Sequence, residues 1–122
     1  MSKAGTLRLR DYLGHIREAI ERCRRYVDDM DEAAFLQDQK TQDAVIRTFE
    51  VIGEASSNII RHYPDFSAAH PDLPFGFAYE MRNALAHGYF KVDLAVVWRT
   101  IHADLPPLQE RVDALLASKT VP

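Results

Sequence analysis

Seven apolar residues near the start of the chain, Leu9, Leu13, Ile16, Ile20, Cys23, Val27 and Met30, recur in alternating steps of four and three. A helix gathers positions so spaced onto one side, whereas a strand would scatter them over both faces. Tyr12, Ala19 and Tyr26 flank this seam at intervals of seven, and the remaining positions are largely polar. The segment is therefore an amphipathic helix with a coiled-coil-like stripe, and such a stripe must be covered by other helices. Gly14 is its only interior breaker. Asp28, Asp29, Asp31 and Glu32 follow. Carboxylates are unfavourable at a helix C-terminus, so the chain is expected to turn there.

A second helical pattern runs from about Thr41 to His62. Val45, Phe49, Ile52 and Ile59 step along one side, with Ala44, Val51 and Ala55 beside them. Asp43, Arg47, Glu50, Glu54, Ser57 and Arg61 occupy the other side, where pairs such as Asp43–Arg47 can support the helix by about 0.3 kcal/mol. Pro64 ends the segment, because the residue before a proline is pushed out of helical geometry. Residues 64–76 hold three of the six prolines and read as a loop. A third helix is predicted over Phe77–His87, stopped by Gly88 in a position suited to a left-handed cap. Asp93 is a good N-cap for a fourth, with Val96, Val97, Trp98 and Ile101 on its apolar side. The Pro106-Pro107 pair breaks or kinks that helix, and Leu108–Ala117 resumes it. No strand alternation or internal repeat interrupts this pattern. The expected fold is all-α, an antiparallel bundle of four to five helices in a single domain spanning 1–122.

The chain has 122 residues, 47% of them hydrophobic, enough for one buried core. Its 15 Lys and Arg against 18 Asp and Glu give a net charge of −3, which excludes a protein that coats nucleic acid by bulk electrostatics. The distribution is uneven. Residues 1–27 carry seven Lys or Arg against three acids, and residues 28–54 carry two against eight. Cys23 is the single cysteine, so no internal disulfide can form, and its place on the apolar stripe marks it as a structural thiol. No apolar run approaches the roughly 18 residues of a membrane span and the first residues lack a signal-peptide block, so a cytoplasmic location without membrane association is expected.

The chemistry concentrates in Met81-Arg82-Asn83-Ala84-Leu85-Ala86-His87-Gly88-Tyr89-Phe90. On a helix Asn83 and His87 share a face, while Arg82 and His87 stand about 140° apart and converge only if the arginine reaches round or the helix loosens at Gly88. An Arg and His pair suits phosphodiester cleavage. Histidine titrates near neutrality and can take a proton from an RNA 2′-hydroxyl or give one to the leaving oxygen. A permanently charged guanidinium can grip a phosphate bidentately. Asn83 can position the phosphate or orient the imidazole. Such a site needs no metal, and His15, His62, His70 and His102 offer no clustered ligand spacing. From spacing alone the commoner role of a histidine at a helix end is to complement the helix dipole. The Arg47/Glu54 row reads either as a solvated face or as the lining of a cleft.

At these residues the chain resembles the HepT-like toxins of the HEPN superfamily. The likeness extends over Asp11-Tyr12-Leu13 with Ile16 and Ala19-Ile20, Thr41 to Arg47, Ile52-Gly53-Glu54-Ala55, Met81 to Asn83, His87 to Phe90, Val92-Asp93, Val97-Trp98 and Asp104-Leu105-Pro106. Phe75 departs conservatively from the pattern, where a tryptophan often follows proline. The resemblance implies a HEPN-like homodimeric bundle with an Arg-x4-His-x-Tyr motif in a cleft at or near the dimer interface. It implies a toxin of a type VII-like toxin–antitoxin system, acting as a metal-independent endoribonuclease on tRNA or other RNA. Arg82 and His87 are then catalytic and Asn83 a supporting polar residue. The implied partner is an MntA-like minimal nucleotidyltransferase antitoxin that moves AMP from ATP onto Tyr89; the toxin itself needs no cofactor. The alternative is a non-catalytic helical module that docks on and restrains a nucleotidyltransferase or holds a nucleotide.

Overall fold

The computed structural model describes residues 7–73, 93–119 and 121–122. Six helices lie among them: α1 (Leu9–Tyr26), α2 (Glu32–Leu36), α3 (Gln39–His62), α4 (Pro64–Ala69), α5 (Leu94–Ala103) and α6 (Leu105–Ala117). No strand occurs among the described residues. The helix predicted over Phe77–His87 lies outside them.

The seam of α1 is the centre of the core. Leu13, Ile16, Ile20 and Cys23 are fully buried, and Val27 continues the stripe one step past the helix end. The helix packs against α3 on one side and α6 on the other. Both neighbours run antiparallel to it. Near the start of α1, Tyr12 stacks on His62 and meets Tyr63 edge-on, at the far end of α3. Near its end, Cys23 shares a hydrogen bond with Thr48 in the first half of α3. Across the other face, Arg10 donates to the carbonyls of Leu116, Ser118 and Val121, Arg17 pairs with Asp113, and Arg24 donates to Gln109. The Arg10 guanidinium thus satisfies carbonyls that the end of α6 leaves open.

Gly14 sits inside α1 with open space where a Cβ would project. A glycine there carries the entropic cost of a flexible backbone without a packing reason. Gly14→Ala is expected to stabilise the protein by about 0.5–1 kcal/mol in denaturant unfolding.

The structure changes the predicted boundaries in four places. The acidic run after α1 is only partly a turn. Met30 N–H donates to the Val27 carbonyl, but Asp31 then caps α2 by accepting from the Ala34 N–H at 2.8 Å. This short helix exists to place Phe35, which is fully buried and 5.4 Å from the Trp98 ring centre. Second, α3 begins at Gln39, with Asp38 accepting from the Thr41 N–H at 3.0 Å. Third, residues 64–69 are helical rather than loop. Pro64 ends α3 and also opens α4, because proline fits the first helical turn where its missing N–H is not needed. Fourth, Pro106 and Pro107 do not precede the last helix but lie inside its first turn, and the break falls on Asp104 alone. Asp93 does cap α5, accepting from the N–H groups of Ala95 and Val96. The two short helices bring the described residues to six helices, where four to five were expected for the whole chain.

Candidate functional site

Arg82, Asn83, His87 and Tyr89, the residues that carry the expected chemistry, lie outside the described residues. The frame on either side of them is defined. On the N-terminal side, Leu73 is buried and Asp72 accepts from the Arg111 Nε of α6 at 2.7 Å. That guanidinium holds the Asp72 carboxyl below the usual carboxylate range. On the C-terminal side, Asp93 fixes the start of α5.

Arg47 and Glu54 both project from the exposed side of α3. They are seven residues apart, which places them on one face about 10 Å from each other along the axis. The structure does not bring them together. Arg47 faces Glu50 at 3.6 Å and not Asp43, the expected partner, and its side chain is 69% exposed. Asn58 Nδ2 donates to the Glu54 carbonyl at 3.0 Å and reaches its carboxylate at 3.5 Å. Asn58 Oδ1 in turn accepts from Arg61 at 2.9 Å. The row is a hydrated polar stripe in which Asn58, not singled out from the sequence, joins Glu54 to Arg61.

The described histidines each engage an aromatic ring. His15 and His62 flank Tyr12, His70 stacks on Phe66 at 4.1 Å, and His102 lies 4.1 Å from the Trp98 ring centre. Among the described residues no three His, Cys, Asp or Glu side chains gather in a way that would hold a metal ion. Cys23 is a core residue, as its sequence position implied. Burial pushes its thiol up to about 11, although the Thr48 hydrogen bond pulls the other way. A thiol-specific disulfide reagent at pH 8 should leave the native protein unlabelled and label it once it is unfolded. An unfolded thiol loses its proton near pH 8.5. The stability contributed by the buried, protonated thiol should therefore be complete below that pH and be lost as pH rises towards about 11.

One concave feature was not visible in the sequence. The end of α1 and the α5–α6 junction enclose a cleft of about 570 Å³, with Arg24, Arg25, His102 and Gln109 among its walls. The excess of arginine and lysine in residues 1–27 bears on one wall alone, and the opposing wall comes from residues more than 70 positions away. Among the described residues no helix is long and apolar enough to cross a membrane.

Comparison with known proteins adds a family. A family model described as Ribonuclease HepT-like matches residues 16–115. A Thermococcus cleftensis protein named "Probable ribonuclease HepT" is 43% identical over 106 residues, covering 87% of this chain and 94% of that one. A longer Methanocaldococcus jannaschii protein, whose name joins a gamma-glutamylcyclotransferase to a provisional RNase, is 39% identical over 101 residues, 83% of this chain and 44% of its own length. A third relative from the same organism, provisionally named an RNase, is 31% identical over 102 residues, 84% of this chain and 91% of that one. No solved structure matches.

Proposed function

The chain belongs to the HepT-like ribonuclease family, and from that membership we propose that it is a toxin endoribonuclease whose centre is the Arg82–Tyr89 stretch. The observation that carries the reading is that the family match spans residues 16–115 and so includes this stretch. In the proposed reaction His87 accepts the proton of an RNA 2′-hydroxyl, whose oxygen attacks the adjacent phosphorus and expels the 5′-oxygen. The leaving oxygen takes up a proton, and the strand is cut with a 2′,3′-cyclic phosphate on one side and a 5′-hydroxyl on the other. Arg82 grips the phosphate and stabilises the negative charge that builds on its oxygens. Asn83 orients the phosphate or the imidazole. Arg and His thereby supply proton transfer and charge stabilisation without calling on a metal or cofactor.

Two copies of the bundle face each other across a symmetry axis in this reading, so that each cleft can draw on residues of both. Control comes from an MntA-like nucleotidyltransferase that uses ATP to place AMP on Tyr89. Each AMP adds a phosphodiester anion and a bulky adenosine two residues from His87, which compete with RNA for Arg82 and obstruct the cleft. Purified protein incubated with total RNA in excess chelator should yield defined fragments. Stoichiometric binding to the nucleotidyltransferase with no fragments under any condition would instead indicate a docking module. Co-expression with that partner should add one or more AMP masses to the peptide containing Tyr89, and an unmodified Tyr89 would remove this mode of control.

A further inference from the structure

The cleft between the end of α1 and the α5–α6 junction is walled by described residues of α1, α5, α6 and their flanks. Arg24, one of its lining residues, donates to the neutral Gln109 Oε1 at 2.6 Å, so its charge is not cancelled by a carboxylate. Arg25 is exposed and has no ion-pair partner among the described residues. Two acids share the lining: Glu21, which faces Arg17 at 3.4 Å while that guanidinium also pairs with Asp113, and Asp28. His102 supplies a flat wall. Its ring leans on Trp98, and its Nδ1 is held 3.0 Å from the Trp98 carbonyl, which directs Nε2 away from the backbone. Val27 and Pro106 add apolar surface.

We propose that this cleft binds a nucleoside phosphate, the two guanidiniums taking the phosphate and the His102 face taking the base, and that its source is an RNA strand bound at a second point on the protein. Guanidinium forks match phosphate geometry, and base stacking on a ring tolerates any sequence. The cleft volume of about 570 Å³ lies within the range of small-molecule sites, roughly 300–1,000 Å³. The helix-dipole role open to any cation at the end of α1 accounts for neither the aromatic wall nor the span to Gln109. Identifying the strand as the source rests on the ribonuclease reading; the recognition chemistry does not.

Trp98 is the chain's single tryptophan and stands behind the His102 wall, so its emission reports on the cleft. The test titrates a 12-nucleotide single-stranded RNA, and separately AMP, into full-length His87→Ala protein, so that binding is read whether or not the wild type cleaves. A saturable change in Trp98 emission is expected. Arg24→Ala/Arg25→Ala should weaken RNA binding at least tenfold and lower the slope of log affinity against log salt by about 0.7, the value of one phosphate contact in a single strand. Arg25→Ala alone, which breaks no hydrogen bond or ion pair among the described residues, should lower it by about half as much and serves if the double variant misfolds. RNA binding well ahead of AMP assigns the site to a strand, and equal affinities assign it to a free nucleotide. No Trp98 response to either probe, or arginine variants that bind like the parent, would overturn the proposal. Failure of RNA cleavage by the wild type leaves this result to be read separately.

Discussion

His87→Ala is expected to lower the single-turnover rate of RNA cleavage by about 10²–10⁴-fold while leaving the fold intact. That range is what one positioned acid–base group contributes to a proton-transfer step. The loss should fall on the rate and little on RNA affinity, because an imidazole that acts in the transition state adds less to ground-state binding. Arg82→Ala should reduce the rate by about 10²–10³-fold, the order found when a charge-stabilising group is removed. Arg82→Lys keeps the charge, loses the two-pronged grip, and should fall between. The double variant should not multiply the two losses, since both residues serve one transition state. The pH–rate profile gives a second readout, for the limb set by a group titrating near neutrality should vanish with His87. A folded His87→Ala protein that cleaves like the wild type would remove this residue from the reaction.

The second large effect concerns stability. Phe35→Ala is expected to cost about 3–5 kcal/mol, the range for emptying a fully buried aromatic site. Phe35 enters the core from a helix of only five residues and meets Trp98 of α5. The α2 helix packs on both α3 and α5, and Gln42 Nε2 of α3 donates to the Phe35 carbonyl at 2.9 Å. Removing the ring therefore opens a cavity where three elements meet. The measurement is the shift of the denaturation midpoint, with a change in Trp98 emission as the local reporter. Phe35→Leu, which keeps most of the volume, should cost clearly less. An unfolding curve unchanged by Phe35→Ala would mean that α2 is not part of the cooperative core.

These two predictions rest on different kinds of information. The seam from Leu9 to Val27 was readable because burial on one side of a long helix forces a period on the sequence, and the structure buries those residues. The Asp93 cap was readable because its chemistry is local. α2 and α4 were not, since five or six residues are too few to display a period, and both hold their place through tertiary contacts such as Phe35 with Trp98. Pro106 and Pro107 misled for a related reason: proline excludes a helix interior but suits its first turn, and sequence alone does not say which applies. For the site, the residues from Arg82 to Tyr89 could be picked out as a string, whereas Arg47 and Glu54 turned out to have separate neighbours on α3. The cleft beside His102 was hidden because its walls are brought together only by the packing of α1 against α6.

The position of α1 between α3 and α6 also orders the assembly of the protein. Its contacts with α3 close over a few tens of residues, while Arg10, Arg17 and Arg24 find their partners 85 to 111 positions downstream. Local contacts form before distant ones because closing a longer loop costs more entropy. On the ribosome, α1 and α3 emerge before α6 and can pair as a hairpin, but the side of α1 meant for α6 stays uncovered until α6 itself has been made. A growing chain in which α6 has not yet been made thus leaves the α6-facing side of its central helix open to water, and α6 is the element that shuts it.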